Sequence, residues 1–194
     1  MSIVIIDYGA GNIKSIANVL DKLDADYTIS ANANDILNAK KIIFPGQGNF
    51  AQAMNNLTKR NLIEPIKEAI NKNIPFLGIC LGLQILFEES EEAPNVKGLS
   101  IFKGKVKKFQ NGKIPQIGWN KVYPIDNKFL KEDFYYYVNS YYVEPDDKKI
   151  IYATSDYYQK FCCAVKKDNL IAVQFHPEKS AKLAEIFFGE FINL

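Results

Sequence analysis

The apolar positions of the first half of the chain keep switching between two spacings. Ile3 to Ile6 is an unbroken β-branched run closed by Asp7 and the turn YGAGN, after which Ile13, Ile16, Ala17, Leu20 and Leu23 recur at helical intervals. A strand followed by a helix is expected. The unit repeats: Tyr27 to Ser30 reads as extended, Asn34 to Asn38 as a polar helical turn, and KKIIF runs into the breaker PGQG. A longer helical stretch over about 51–71 is interrupted near Arg60 and Asn61, with Pro65 tolerated in a first turn. IPFLGI follows as another buried strand. Strands apolar on both faces and separated by helices predict an α/β fold: an open, mostly parallel sheet with helices on both sides.

From about Gly98 the period changes. KGKVKKF, FYYYVNSYYV, IIYATS, FCCAVKK and LIAVQF alternate or are rich in aromatics, are bounded by NG, EPDD and KDN, and predict strands joined by hairpins, an antiparallel extension of the sheet. Residues 88–97, EESEEAPNVK, read as an exposed loop, and 181–192 as a closing helix. With no repeat or low-complexity segment, the expectation is one domain over 1–194.

Composition narrows the function. A chain of 194 residues, 47% hydrophobic, can bury a full core. Its 24 basic and 22 acidic residues are mixed along the sequence, which argues against a nucleic-acid or membrane surface as the main partner. The start, MSIVIIDYGAGN, has no basic n-region, and no apolar run approaches the roughly 20 residues that span a bilayer, so a cytoplasmic protein is expected. Three cysteines, two of them adjacent, make a poor disulfide framework and read as reduced thiols.

One of them carries the chemistry. In GICLGLQ, Cys80 stands between two glycines, after a strand and before a helical run. Small neighbours allow the sharp strained turn of a nucleophile elbow, which lifts a side chain above the sheet. Backbone N–H groups at the following helix start favour a thiolate, and the Leu81 N–H points toward an oxyanion on an attacked carbonyl. A buried core cysteine beside packing glycines is the competing reading. A thiol nucleophile needs a base, and His176 is the only histidine in the chain. It lies in VQFHPEKS at a strand end, where Glu178, two residues on in an extended segment, can orient the imidazole. The plainer reading of His176 is an incidental residue at a capped strand end.

GICLGLQ with FHPEKS resembles the triad of the class I glutamine amidotransferases. IDYGAGN, PGQG, FEESEEAP, PQIGWN and the YYYVNSYY segment, in that order, are similar to the glutaminase subunits of imidazole glycerol phosphate synthase over essentially the whole chain. The resemblance implies that Cys80 attacks the side-chain amide of glutamine, with His176 as base and proton donor and Glu178 as its orienter. It implies that the PGQG turn, through the Gln47 amide, and Leu81 hold the tetrahedral oxygen. Gly48, Gln84, Glu92, Ser140 and Tyr141 match positions that seat the substrate. Asn12, Trp119, Tyr136 and Lys179 match the face that docks on a (β/α)8-barrel cyclase. In that heterodimer ammonia passes unprotonated into the barrel, where imidazole glycerol phosphate and the aminoimidazole carboxamide ribotide by-product of histidine biosynthesis are made. No cofactor is implied.

The chain departs from the family where valine is usual at Gln47, and where histidine is usual at Gln116 and Asn139, which are expected near the docking face and the glutamine pocket respectively. Besides the histidine-pathway glutaminase, two readings stay open: a paralogue feeding another synthase such as a sugar amidotransferase, and a non-catalytic scaffold. Other features read plainly. GAGNIK lacks the third glycine of a dinucleotide fingerprint and is a tight turn. The tyrosines from Tyr135 to Tyr142 suit strand packing and an interface, Cys162 and Cys163 are structural, and no cluster has metal-ligand spacing.

Overall fold

The computed structural model describes residues 2–194. Twelve strands form one sheet, built around short apolar runs: β1 (Ile3–Ile6), β3 (Lys41–Phe44), β4 (Phe76–Ile79) and β12 (Leu170–Val173). With β2 (Tyr27–Ser30) at the edge they run parallel in the order β2-β1-β3-β4-β12. The sheet continues antiparallel through β11 (Lys160–Lys167), β10 (Ile151–Asp156), β7 (Gln116–Pro124) and β8 (Asp133–Asn139). A branch adds β9 (Tyr141–Pro145), β6 (Phe102–Lys108) and β5 (Phe87–Ser90).

Alternate residues of each central strand enter opposite cores, as the two-residue period of a strand requires. Val4, Ile6, Ile42, Phe44 and Ala172 pack beneath α2 (Ala33–Leu37), α3 (Phe50–Lys59) and α4 (Ile63–Asn71), through Ile36, Leu57 and Ile66. Ile3, Ile5, Ile43, Leu77 and Val173 meet α1 (Ile13–Lys22) and α6 (Lys182–Ile192), through Ile16, Leu20, Phe187 and Phe191. The helical break falls where the sequence places it: Arg60 ends α3, Asn61 turns at φ 55°, and Pro65 occupies the first turn of α4.

Three expectations need correction. Residues 88–97 are not all loop, because 87–90 form β5, parallel to β6, with Phe87 and Ser90 inward and the charged pair between them less buried. FYYYVNSYYV is two strands broken at Ser140: β8 pairs with β7, while β9 pairs with β6 and β11. The segment after His176 is a 3-10 turn, Pro177–Lys179, and not a continued strand. The YGAGN turn holds: Gly9 and Gly11 adopt φ 85° and 109°. Among the described residues no helix is long and apolar enough to cross a membrane, and no group of His, Cys, Asp and Glu is placed to hold a metal ion.

Candidate active site

The site forms where β4 and β12 end side by side. Their parallel register runs to Val173 opposite Ile79, and the Cys80 N–H continues it by donating to the Val173 carbonyl at 2.7 Å. Cys80 then turns at φ 51°, ψ −103°, a conformation a side-chain-bearing residue adopts only under constraint, and α5 (Leu81–Gln84) begins at once. The glycines make this turn fit. A Cβ on Gly78 would lie 2.6 Å from the Gly82 carbonyl oxygen, and one on Gly82 would lie 2.7 Å from that of Phe44. On Gly46, in the PGQG turn, it would stand 1.9 Å from the Ile79 carbonyl oxygen and 2.7 Å from the Cys80 Cβ. The turn expected to supply the oxyanion amide is thus pressed directly against the elbow.

His176 follows β12 and is buried, its Nδ1 2.8 Å from Glu178 Oε1. The 3-10 turn, not an extended strand, brings the carboxylate round to the ring. Its other oxygen, Oε2, is buried without a hydrogen-bond partner among the described residues, so the imidazole is what balances this carboxylate. Burial pulls the His176 pKa down, but the charge of the Cys80 sulfur, its hydrogen bond to the ring and the Glu178 carboxylate outweigh it and raise the value to about 10. With Nδ1 committed to Glu178, Nε2 is the ring nitrogen left for the thiol.

Two of the other residues named from sequence are placed otherwise than expected. Gln47, expected to offer its amide to the oxyanion, has that N–H on the Tyr8 hydroxyl at 3.4 Å, while Tyr8 donates to the Gln47 carbonyl at 2.7 Å. Gln116, expected near a docking face, is itself buried directly opposite Asn139 across β7 and β8, while the pleat turns its neighbours Ile117 and Trp119 outward. Leu81 takes the first position of α5, where an N–H has no intrahelical partner. Gln84 Nε2 donates to the Tyr141 carbonyl at 3.3 Å, and Asn139 Nδ2 to the same oxygen at 2.9 Å. Burial, with the Glu92 and Glu91 carboxylates adding to it, raises the Tyr141 pKa. Glu92 Oε2 also accepts from the Phe50 N–H at 2.8 Å at the head of α3, just beyond Gly48. Ser140 joins β8 to β9, its carbonyl accepting from Phe109.

Trp119 and Tyr136 face each other across β7 and β8 with ring centroids 5.9 Å apart. The Tyr136 carbonyl accepts the His176 N–H at 2.8 Å, and its N–H bonds Ser180 Oγ at 3.1 Å. Asn12 stands at the start of α1 without a side-chain capping bond, Lys179 is exposed, and α1 and β8 both pack against the Pro177–Lys179 turn. Sequence reasoning missed Tyr8, Ser180 and Gln174. Gln174 had a readable signal, being the only polar residue in LIAVQF. A cleft of about 520 Å³ lies at the opposite ends of the strands, by Asn73, Asn169 and Leu170, away from this chemistry.

A thiol on a strained elbow beside a buried His–Glu pair, at the carboxyl ends of adjacent parallel strands, is the equipment of an α/β enzyme that transfers acyl groups through sulfur. Residues 4–194 match the family model for glutamine amidotransferase class-I, and the chain belongs to that family. It is 44% identical to "Imidazole glycerol phosphate synthase subunit HisH" of Methanocaldococcus jannaschii, over 98% of each chain. It is 40% identical to the subunit HisH 1 of Methanococcus maripaludis, over 99% of each. Among solved structures it resembles a glutamine amidotransferase (TM-score 0.80, 14% identity, 98% and 97% of the two chains covered). PurLQS from Thermotoga maritima is similar as well (TM-score 0.74, 16% identity, 100% and 99% covered). At those identities the structural likeness concerns the fold.

Proposed function

We propose that the chain is the glutaminase subunit of an imidazole glycerol phosphate synthase, hydrolysing L-glutamine to glutamate and ammonia for histidine biosynthesis. The observation that carries this is the Cys80 elbow at φ 51° joined to the His176–Glu178 pair. Kinship with the HisH subunits over nearly the full chain selects the acceptor. The catalytic unit is then a single domain over 1–194, in the cytoplasm, where three buried free thiols stay reduced.

The chemistry follows from the geometry. The Cys80 sulfur, its proton passed to His176, attacks the side-chain carbonyl carbon of glutamine, and the carbonyl electrons move onto oxygen beside the Leu81 and Gln47 amides. As the oxyanion collapses, the C–N bond breaks and His176 Nε2 protonates the leaving nitrogen, giving ammonia and a glutamyl thioester. Water, deprotonated by His176, then cleaves the thioester to glutamate and frees the thiol. Glu178 holds the ring throughout. Gly48, Gln84, Glu92, Ser140 and Tyr141 seat the substrate, with Glu92 facing its ammonium. The Gln47 amide must leave the Tyr8 hydroxyl to serve as a donor, so hydrolysis is slow until this peptide turns.

The partner in this reading is a (β/α)8-barrel cyclase, docked over Asn12, Trp119, Tyr136 and Lys179. The backbone pairing of Tyr136 with His176 supports a link between that face and the triad. A paralogue serving another synthase is the second reading, favoured by the buried Gln116–Asn139 pair in place of two histidines. Acid quenching of the chain with glutamine, followed by peptide mass analysis, tests the mechanism: a glutamyl adduct on Cys80 is expected. An adduct elsewhere, or unchanged glutamine hydrolysis by Cys80→Ser, would refute it.

A further inference from the structure

Gln174 is fully buried and plays no part in the triad. It follows β12 directly, so the strand register that pairs Val173 with Ile79 sets it next to Cys80. Its Nε2 donates to the Cys80 sulfur at 3.5 Å, and its Oε1 accepts from Gln84 Nε2 at 3.1 Å. The orientation of both amides is forced by one backbone atom. The Tyr141 carbonyl only accepts, so Gln84 must present its NH2 there. That NH2 also meets Gln174, which must therefore answer with its oxygen. The Gln174 NH2 is left pointing at the sulfur. The reverse orientation would put NH2 against NH2 at one end and oxygen against sulfur at the other.

We propose that Gln174 is a positioning residue for the thiol: its amide N–H holds the sulfur as a thiolate aimed at the substrate carbonyl, and Gln84 couples that donor to the glutamine seat. The inference rests on Cys80 being the nucleophile. A hydrogen bond to an anion is stronger than one to its neutral form, so the donor favours the attacking species over the resting thiol. The other titratable groups facing the sulfur are His176, backed by Glu178, and the Tyr8 hydroxyl, which burial keeps neutral at working pH. Gln174 is therefore an uncharged donor to the nucleophile, and its effect separates from that of the ion pair.

The test is the pH dependence of iodoacetamide alkylation of the full chain, with the modified peptide identified by mass. Gln174→Met removes the donor at similar volume, and Gln174→Leu removes it with a branched side chain, neither adding charge beside the sulfur. Both should raise the apparent pKa for alkylation at Cys80 by about one unit and slow glutaminase turnover at neutral pH by roughly tenfold. Gln84→Met unlocks the amide and should produce a smaller shift of the same sign. A residue needed only for packing would lower the melting temperature and leave the alkylation profile where it was. If Gln174→Met does not fold, Gln174→Leu carries the test, and wild-type profiles in the folded variants would overturn the proposal. Wild-type chain whose Cys80 does not react, or a Cys80→Ser chain that still releases glutamate, would overturn the thiol reading beneath it.

Discussion

Cys80 and Gly46 show how closely this chemistry depends on single atoms. The elbow strains a side-chain-bearing residue, and the PGQG turn fits against it only because Gly46 has no Cβ. Gly46→Ala should destabilise the fold by about 1–3 kcal/mol in urea denaturation and abolish glutamine hydrolysis, because backbone has to move at the elbow itself. His176 gives a prediction with a sign. Its pKa is raised to about 10, so the proton needed by the leaving nitrogen is held through neutral pH and lost as pH climbs toward that value. The pH profile of kcat/KM should keep its alkaline limb near this range, and Glu178→Gln, which removes the balancing carboxylate, should move the limb to lower pH and reduce turnover. Cys80, His176 and Glu178 were legible in sequence because few residue types perform this chemistry and the chain holds one histidine. Tyr8 was not, and Gln174 showed only as a polar residue in an apolar run, since both declare their partners only once β1, β3, β4 and β12 lie side by side.

Element by element, local pattern sufficed wherever partners are near in sequence or burial is two-sided. The runs IVII, KIIF and FLGI read correctly as central strands because both faces are covered, whereas LIAV, expected in the antiparallel extension, pairs parallel with β4 as well as antiparallel with β11. It failed for β5, where charged residues between Phe87 and Ser90 resemble a loop and the strand exists through parallel pairing with β6. It failed again at Ser140, since nothing local to a tyrosine-rich run says that its halves pair with different strands. The same limit hid the Gln116–Asn139 contact, which is a matter of register between β7 and β8. One element joins fold and site closely. α3 begins directly after the PGQG turn, with the Asn49 side chain accepting from the Gln52 N–H at 2.8 Å and Glu92 from that of Phe50. Asn49→Ala should cost about 1 kcal/mol in thermal or urea unfolding and lower glutaminase activity by loosening the turn that carries Gln47 and Gly48.

At the scale of the molecule, a sheet with two covered faces ends in one that is bare. β7 and β8 turn Ile117, Trp119, Phe134 and Val138 outward, an apolar patch that includes the strand whose Tyr136 bonds His176. In the proposed function a cyclase covers it, and ammonia released at Cys80 goes straight into that partner. Trp119→Ala should weaken the complex by roughly 30-fold in titration calorimetry while leaving the melting temperature of the free chain within a few degrees. The measurement that tests the whole account most directly is glutamate release from glutamine by the chain alone and then with a histidine-pathway cyclase and its ribulosyl substrate, with Cys80→Ser as the blank. Slow release by the chain alone, a large rise in the complex and none in the blank are expected. Equal release with and without the loaded cyclase, or release that survives in Cys80→Ser, would contradict it.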